Sequence, residues 1–397
     1  MKITILGDIM CEPTVLNGGR QPDGSYNFDS MYSRIKPLLQ QSDYVIGNME
    51  TPLAGEEAGY TETFFSFNAP DSFADAMKKA GIHLVSTINN HTYDRGPEGI
   101  VRTMEVLDRI GLPYVGTALP DKERPEAHYF EIDGVRVAVI AYTYGINKKL
   151  DSDDHPMAVN ANRLAKFGNV VCGEKQFPKD WVDTLFPRME LAQKTKLRKR
   201  FKLPYLAVQV DNLINHQLVD ECMDRMVQDI KTAREKADFV LVFPHIGGQF
   251  NVKVGDFTHH AVAKALEAGA DAVVASHSHV VQKAEFLGNA PVAYSLGNFS
   301  MSPLFYAVEA KHLREYGLAA HLYLEKGKVQ KFTFTMLKAV PDAHGQLVSW
   351  PLDLLEQHLG SKKERRKLRE EAEFIYRCTT GKELPAGPIR SEYEIEK

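Results

Sequence analysis

Residues 239–282 run FVLVFPHIGGQF…ADAVVASHSHVVQ, and this stretch constrains the fold more than any other. Its two Val-rich runs, VLVF and AVVA, have the unbroken apolar character of strands buried on both faces. Each run stops abruptly in histidine: His245 after the first, His277 and His279 after the second. Between them, DFTHHAVAKALEAGA has helical spacing and a Gly near its end, so the unit reads as strand–helix–strand. Parallel strands joined this way end on one edge of a sheet, where open α/β folds place their ligands. Three imidazoles at that edge make half of a metal site.

The N-terminal third repeats the same rhythm. KITIL runs into Gly7-Asp8, DYVIG into Asn48-Met49-Glu50, and HLVSTI into Asn89-Asn90-His91. Helical stretches separate these strands: DSFADAMKKAG has an Asp cap and a terminal Gly, and a second helix opens at Pro97 and stops at Gly111. VRVAVIAYTYG is a long strand ending at Tyr144, Gly145 and Asn147, and APVAYSLGNFS ends in Gly297-Asn298. GLAAHLYLE and VQKFTFTML, separated by the turn at Gly327, read as an antiparallel hairpin.

From about 148 to 236 the rhythm breaks into scattered aromatics and a basic run, residues 194–202, although helical spacing recovers at LVDECMDRMVQDIKTAREKA. A structureless loop of that length is unusual, so an inserted subdomain or cap is expected there. The basic run reads as a solvated helix face, with Phe201 giving it a second possibility, contact with an anionic polymer. The domain proper is expected over residues 1–350. Residues 351–397 form a charged C-terminal helical tail whose run KKERRKLREEAEF has the spacing of a solvated face.

Several function classes fall away on composition. A net charge of −4 over 397 residues gives no case for nucleic-acid or membrane-surface binding. No apolar stretch approaches the roughly 20 residues of a membrane span. The start, MKITILGD, is a strand and not a leader, which points to the cytoplasm. Cys11, Cys172, Cys222 and Cys378 form no CxxC pair and read as reduced thiols.

Set side by side, the strand ends offer Asp8, Glu50, Asn90, His91, His245, His277 and His279. Taken singly, each has an ordinary explanation as turn, cap or core residue. Together, carboxylate, amide and imidazole donors suit Mn, Fe or Zn rather than an all-oxygen calcium site. They suffice for one or two divalent ions, two of them sharing a bridging carboxylate.

The order GD…NMETPL…NNHTYDRG…YTYGIN…HIGG…SHSHVVQ…YSLGNF resembles the CapA-like (poly-γ-glutamate capsule synthesis) family of the calcineurin-like metallophosphoesterases. That resemblance implies a four-layer α/β/β/α sandwich carrying the insertion and tail. It also implies roles. Asp8 and His279 would hold a first metal, Glu50 would bridge, and Asn90, His245 and His277 would hold the second. His91 would protonate the leaving group or stabilise the developing charge. Asn48, Tyr144, Asn147 and Asn298, at the same strand ends, and Arg95 are expected to contact substrate, though Arg95 could equally pair with a nearby acid.

Two departures from the superfamily pattern stand out. Asp8-Ile9-Met10 replaces Asp-x-His, and Gln249 stands where a Glu is often found. The implied activity is a metal-dependent hydrolase or transferase acting on a phosphoester or γ-glutamyl amide, with a small molecule or an anionic polymer as substrate. The alternative is a non-catalytic, metal-containing assembly or binding protein of capsule synthesis.

Overall fold

The computed structural model describes the chain apart from residues 63–65, 120–121, 123, 147–173, 177–181, 183–184, 187, 190, 202–208, 213–215 and 304–311. The chain first lays down β1 (Lys2–Ile9), β2 (Tyr44–Met49), β3 (Leu84–Ser86) and β4 (Tyr114–Val115), parallel and side by side. It then builds a second sheet. The antiparallel pair β5 (His128–Ile132) and β6 (Val135–Thr143) comes first, and a two-stranded ribbon follows, β7 (Glu174–Gln176) with β8 (Val210–Asn212). β9 (Phe239–His245) and β10 (Ala272–Val274) then extend the second sheet in parallel. β11 (Ala284–Leu287) and β12 (Ala290–Ala293) complete it, in the order β11-β12-β10-β9-β6-β5.

The chain returns to the first sheet with β13 (Tyr316–Glu325), β14 (Lys328–Pro341), β15 (Leu347–Pro351) and finally β16 (Tyr393–Glu394). β13 pairs antiparallel with β1, and β13–β14 is the hairpin expected around Gly327.

Alternation along the strands explains the four layers. Ile3, Ile5 and Ile46 of the first sheet face Val137, Val139, Leu241 and Phe243 of the second. The opposite faces are equally apolar. Val45 and Val85 pack against Phe73, Met77, Val106 and Leu107 of helices Ser72–Ala80 and Gly96–Ile110. Ile140, Tyr142, Val240 and Val242 pack against Met223, Met226 and Ile230 of helix His216–Lys236 and Phe257 and Val262 of helix Asp256–Ala268. Strands covered on both faces favour apolar residues throughout, which is why VLVF and AVVA lack a polar alternate.

Three observations differ from the sequence reading. Helix His216–Lys236 belongs to the layer covering the second sheet, so the sandwich resumes near 216. Most of the expected insertion lies outside the described residues, although its basic run falls on the helix Leu191–Arg200. Residues 352–397 share the core. Leu368, Ala372, Ile375 and Tyr376 of helix Lys362–Thr380 join the inter-sheet cluster, while Arg366 and Glu370 pair on its exposed side. Cys222 is disulfide-bonded, against the expectation of four reduced thiols, whereas Cys11 and Cys378 are free thiols. No helix among the described residues is long and apolar enough to cross a membrane.

The stretch after β12 matters most for the site. The run expected as one long strand stops at Ala293, and the chain then crosses between the sheets. Leu296 N donates to Ala275 O of the second sheet at 3.1 Å, and Phe299 N donates to Asp8 O of the first at 2.8 Å. This crossing requires glycine on both sides. A Cβ on Gly7 would lie 2.2 Å from Gly297 O, and Gly297 itself adopts φ +66°.

Candidate metal centre

Both sheets end at one point, and the two supply different chemistry. β1 presents Asp8, the chain just beyond β2 presents Glu50, and the turn after β3 presents Asn90 and His91. β9 ends in His245, and the chain beyond β10 carries His277 and His279. All seven side chains are buried; the most exposed, His91, is 4% accessible.

β10 ends at Val274, before the H-x-H pair, so strand pleating does not aim these two rings. Both histidines take left-handed backbone conformations, His277 at φ 111° and His279 at φ 53°. Non-Gly residues rarely sit there, and such strain persists where the surroundings fix it, often at functional sites.

Asn90 Oδ1 lies 2.6 Å and His277 Nδ1 2.9 Å from His245 Nε2. The Asp8 carboxylate stands 3.7 Å from His245 Nδ1 and 3.4 Å from His279 Nδ1. Glu50 sits among the imidazoles, its Oε1 3.3 Å from His245 Nε2, 3.6 Å from His279 Nε2 and 3.9 Å from His91 Nε2. Neither oxygen of Glu50 has a hydrogen-bond partner, although its side chain is fully buried. An ionised carboxylate out of water without a donor costs several kcal/mol unless a cation compensates it.

Donor atoms of Asp8, Glu50 and His245, and those of Glu50, His277 and His279, form two sets within 4.8 Å, with Glu50 common to both. The residues therefore fit one or two divalent ions with Glu50 between them. The expected pairing, His279 with Asp8 and His277 with Asn90 and His245, is equally compatible with the distances, since Asp8 lies 3.4 Å from His279 and both Asn90 and His277 lie within 2.9 Å of His245.

Burial alone would raise the Asp8 carboxyl. The hydrogen bond with His279, the charges of His245 and His279 and the Asn48 amide outweigh it and hold Asp8 below its usual value. Burial opposes a charge on His279, yet the Glu50 and Asp8 carboxylates raise it to about 9. A proton on that ring stands where a cation would otherwise balance the two carboxylates.

His91 is held from behind. Its Nδ1 lies 2.6 Å from Asp94 Oδ2, and its ring stacks on Phe67 with centroids 4.2 Å apart. The same Asp94 oxygen accepts from Phe67 N at 2.6 Å. A carboxylate only accepts, so Nδ1 carries the proton and Nε2 is turned toward Glu50. Asp94 was not singled out in the sequence, but it closes a hydrogen-bonded turn on His91, its N–H donating to His91 O at 3.0 Å, which brings the two side chains together.

The expected substrate residues fare differently. Asn48 Nδ2 donates to Asp8 Oδ1 at 2.8 Å and lies 3.1 Å from His245 Nδ1, while its Oδ1 accepts from Asn89 at 3.3 Å. Its amide is committed to contacts with Asp8, His245 and Asn89. Asn298 is likewise committed, to His279 at 2.9 Å. Arg95 binds the carbonyls of Ala58 and Gly59 and the Ser66 hydroxyl, bracing that loop instead of facing the centre. Tyr144 lies beside the centre, its ring 4.8 Å from His277, and burial and the Glu50 charge keep its hydroxyl protonated. Asn147 lies outside the described residues.

Met10 fills the place of the missing imidazole with apolar contacts, buried with Phe67, Phe250, Val280 and Met301. Gln249 exchanges hydrogen bonds with Gln209 at 2.8 and 3.3 Å, which ties the loop after β9 to the residue before β8.

Residues 2–302 match the family described as bacterial capsule synthesis protein PGA_cap. The chain belongs to that family. The match stops just past the crossing strap, so every ligand of the centre lies inside it and the C-terminal helices lie outside. The capsule biosynthesis protein CapA of Bacillus anthracis is 25% identical over 304 residues, 75% of this chain and 59% of that protein. The chain thus spans about three fifths of that relative's length. The PGA biosynthesis protein CapA of Bacillus subtilis is 21% identical over 385 residues, 96% of this chain and 81% of the relative. Among solved structures, the 5'-nucleotidase of Candida albicans is 12% identical, covering 95% of this chain and 56% of its own, with a TM-score of 0.41.

Proposed function

We propose that this PGA_cap protein is a metal-dependent hydrolase or transferase acting on a phosphoester or on a γ-glutamyl amide, presented by a small molecule or an anionic polymer. The observation that carries this reading is Glu50: a fully buried carboxylate without a donor on either oxygen, ringed by imidazole nitrogens at 3.3–3.9 Å. Divalent ions bound there would supply Lewis acidity and a water that ionises near neutral pH.

The chain's own residues supply the rest. Asp8, Asn90, His245, His277 and His279 present lone pairs toward Glu50 and exclude bulk water. Asn90 also keeps a buried Nδ2 donor without a partner, suited to a substrate oxygen. His91, oriented by Asp94 through Nδ1, turns Nε2 to the reacting region; in its doubly protonated form it would give the Nε2 proton to the departing oxygen or nitrogen and return to the Nδ1–H tautomer. Arg95, the cation nearest His91 in sequence, is tied to its loop, so anionic groups on a substrate are bound chiefly by the centre itself.

The test is turnover of phosphoester and γ-glutamyl substrates by metal-depleted protein refilled with manganese or zinc. Activity that appears with metal and disappears in His277→Ala supports the reading; activity that survives both chelation and His277→Ala sinks it.

A further inference from the structure

Asn298 sits on the strap between the sheets and is 1% accessible. Its Nδ2 donates to two main-chain carbonyls, His279 O at 2.9 Å and Arg314 O at 2.8 Å. Carbonyls only accept, so the orientation of this amide is fixed by its surroundings, and Oδ1 must be the atom that lies 2.9 Å from His279 Nδ1. It follows that Nδ1 of His279 carries a hydrogen, so Nε2 is the nitrogen whose lone pair a metal would take in place of a second proton. That nitrogen stands 3.6 Å from Glu50 Oε1, itself without a donor.

Asn298 therefore grips one residue twice, by its ring and by its main chain, and that residue is held at φ 53°. The same strap carries Gly297, whose carbonyl accepts from Asp8 N at 3.0 Å, and Phe299, whose N–H donates to Asp8 O at 2.8 Å. Asp8 and His279 are thus aligned by three successive residues. This is also the side of the centre where Met10 stands in place of an imidazole.

We infer that Asn298 is the positioning residue that makes His279 a metal ligand, fixing its tautomer and its backbone so that Nε2 faces Glu50. The inference rests on the metal-dependent reading above. It assigns the alignment of His279 to the crossing strap, a role different from the substrate contact expected of an Asn at a strand end. Partners of this kind behind a histidine ligand typically change metal affinity by roughly 10–100-fold.

Two measurements test it. Chelator competition with zinc on the wild-type protein and Asn298→Ala should show affinity falling roughly 10–100-fold in the variant. Nitrogen-15 NMR of histidine-labelled, zinc-loaded wild-type protein should show His279 protonated at Nδ1 and coordinated through Nε2, a reading that does not depend on the variant folding. Equal zinc affinity in the two forms, or coordination through Nδ1, would overturn the role of Asn298 while leaving metal binding intact. A wild-type protein that takes up no zinc would overturn this inference and the metal-dependent reading together.

Discussion

The first sheet brings oxygen to the centre and the second brings nitrogen. Asp8, Glu50 and Asn90 stand at or just beyond the ends of parallel strands and are aligned by ordinary side-chain contacts such as Asn48 to Asp8 at 2.8 Å. His277 and His279 stand beyond β10, in left-handed conformations that only neighbouring segments can hold. One donor of each half lies within a strand, Asp8 in β1 and His245 in β9; what sets the second half apart is the left-handed backbone of His277 and His279. The consequence is that losing Glu50, shared by both sets, should remove the centre, while losing a contact that holds the loops of His277 and His279 should detune it.

The harshest test of that contrast is Glu50→Ala. Because Glu50 is common to both ligand sets, bound manganese or zinc measured by elemental analysis should fall to background. The loss should exceed the roughly 10–100-fold of an outer partner. Metal content near wild type would mean the nitrogen half suffices. His91→Gln probes the group that belongs to the first sheet but binds no metal: metal content should stay near wild type while kcat falls by about 10²–10⁴. Asp94→Asn should move kcat in the same direction by less, since the ring keeps its stacking on Phe67.

Stability probes sharpen the comparison further. Gly7→Ala drives a Cβ to within 2.2 Å of Gly297 O, so the strap joining the halves must move; thermal or denaturant unfolding should show a loss of about 1–3 kcal/mol or more, with weakened metal binding. Ile375→Ala should cost about 2–5 kcal/mol by the same measurement, with metal binding unchanged. An effect near zero there would mean the C-terminal helix is an appendage, not a wall of the core.

The smallest expected effect comes from a histidine with its partners in place. His321 bonds the Thr4 and Thr335 hydroxyls at 2.8 and 3.0 Å, and burial, helped by the Lys2 charge, lowers its pKa to about 3. Its folded value lies below the ordinary 6.5, so the unfolded chain binds the extra proton between those values. Stability should therefore fall as pH drops from 6.5 toward 3, and His321→Asn should flatten that slope. An unchanged acid-unfolding curve would show that His321 does not control it.

The layers were readable because strands covered on both faces leave unbroken apolar runs, and VLVF and AVVA do so. Candidate ligands were readable because ligand-capable side chains ended those runs one after another. Several roles were not. Asn48 and Asn298 looked like substrate contacts because an amide at a strand end serves either purpose; their partners, Asp8 and His279, are 40 and 19 residues away. The charged run at 362–374 concealed a buried stripe, because helical spacing puts Leu368, Ala372 and Ile375 on one face whatever the charge around them.

By itself, then, the sequence determined which strands would be buried and which donor types would stand at their ends, since both follow from local pattern. Only the tertiary structure decided which donors face one another, that Glu50 lacks any hydrogen-bond donor, and that a strap hinged on Gly7 and Gly297 aligns Asp8 with His279. Those facts depend on contacts between two sheets far apart in the chain, and periodicity carries no information about distance across a core.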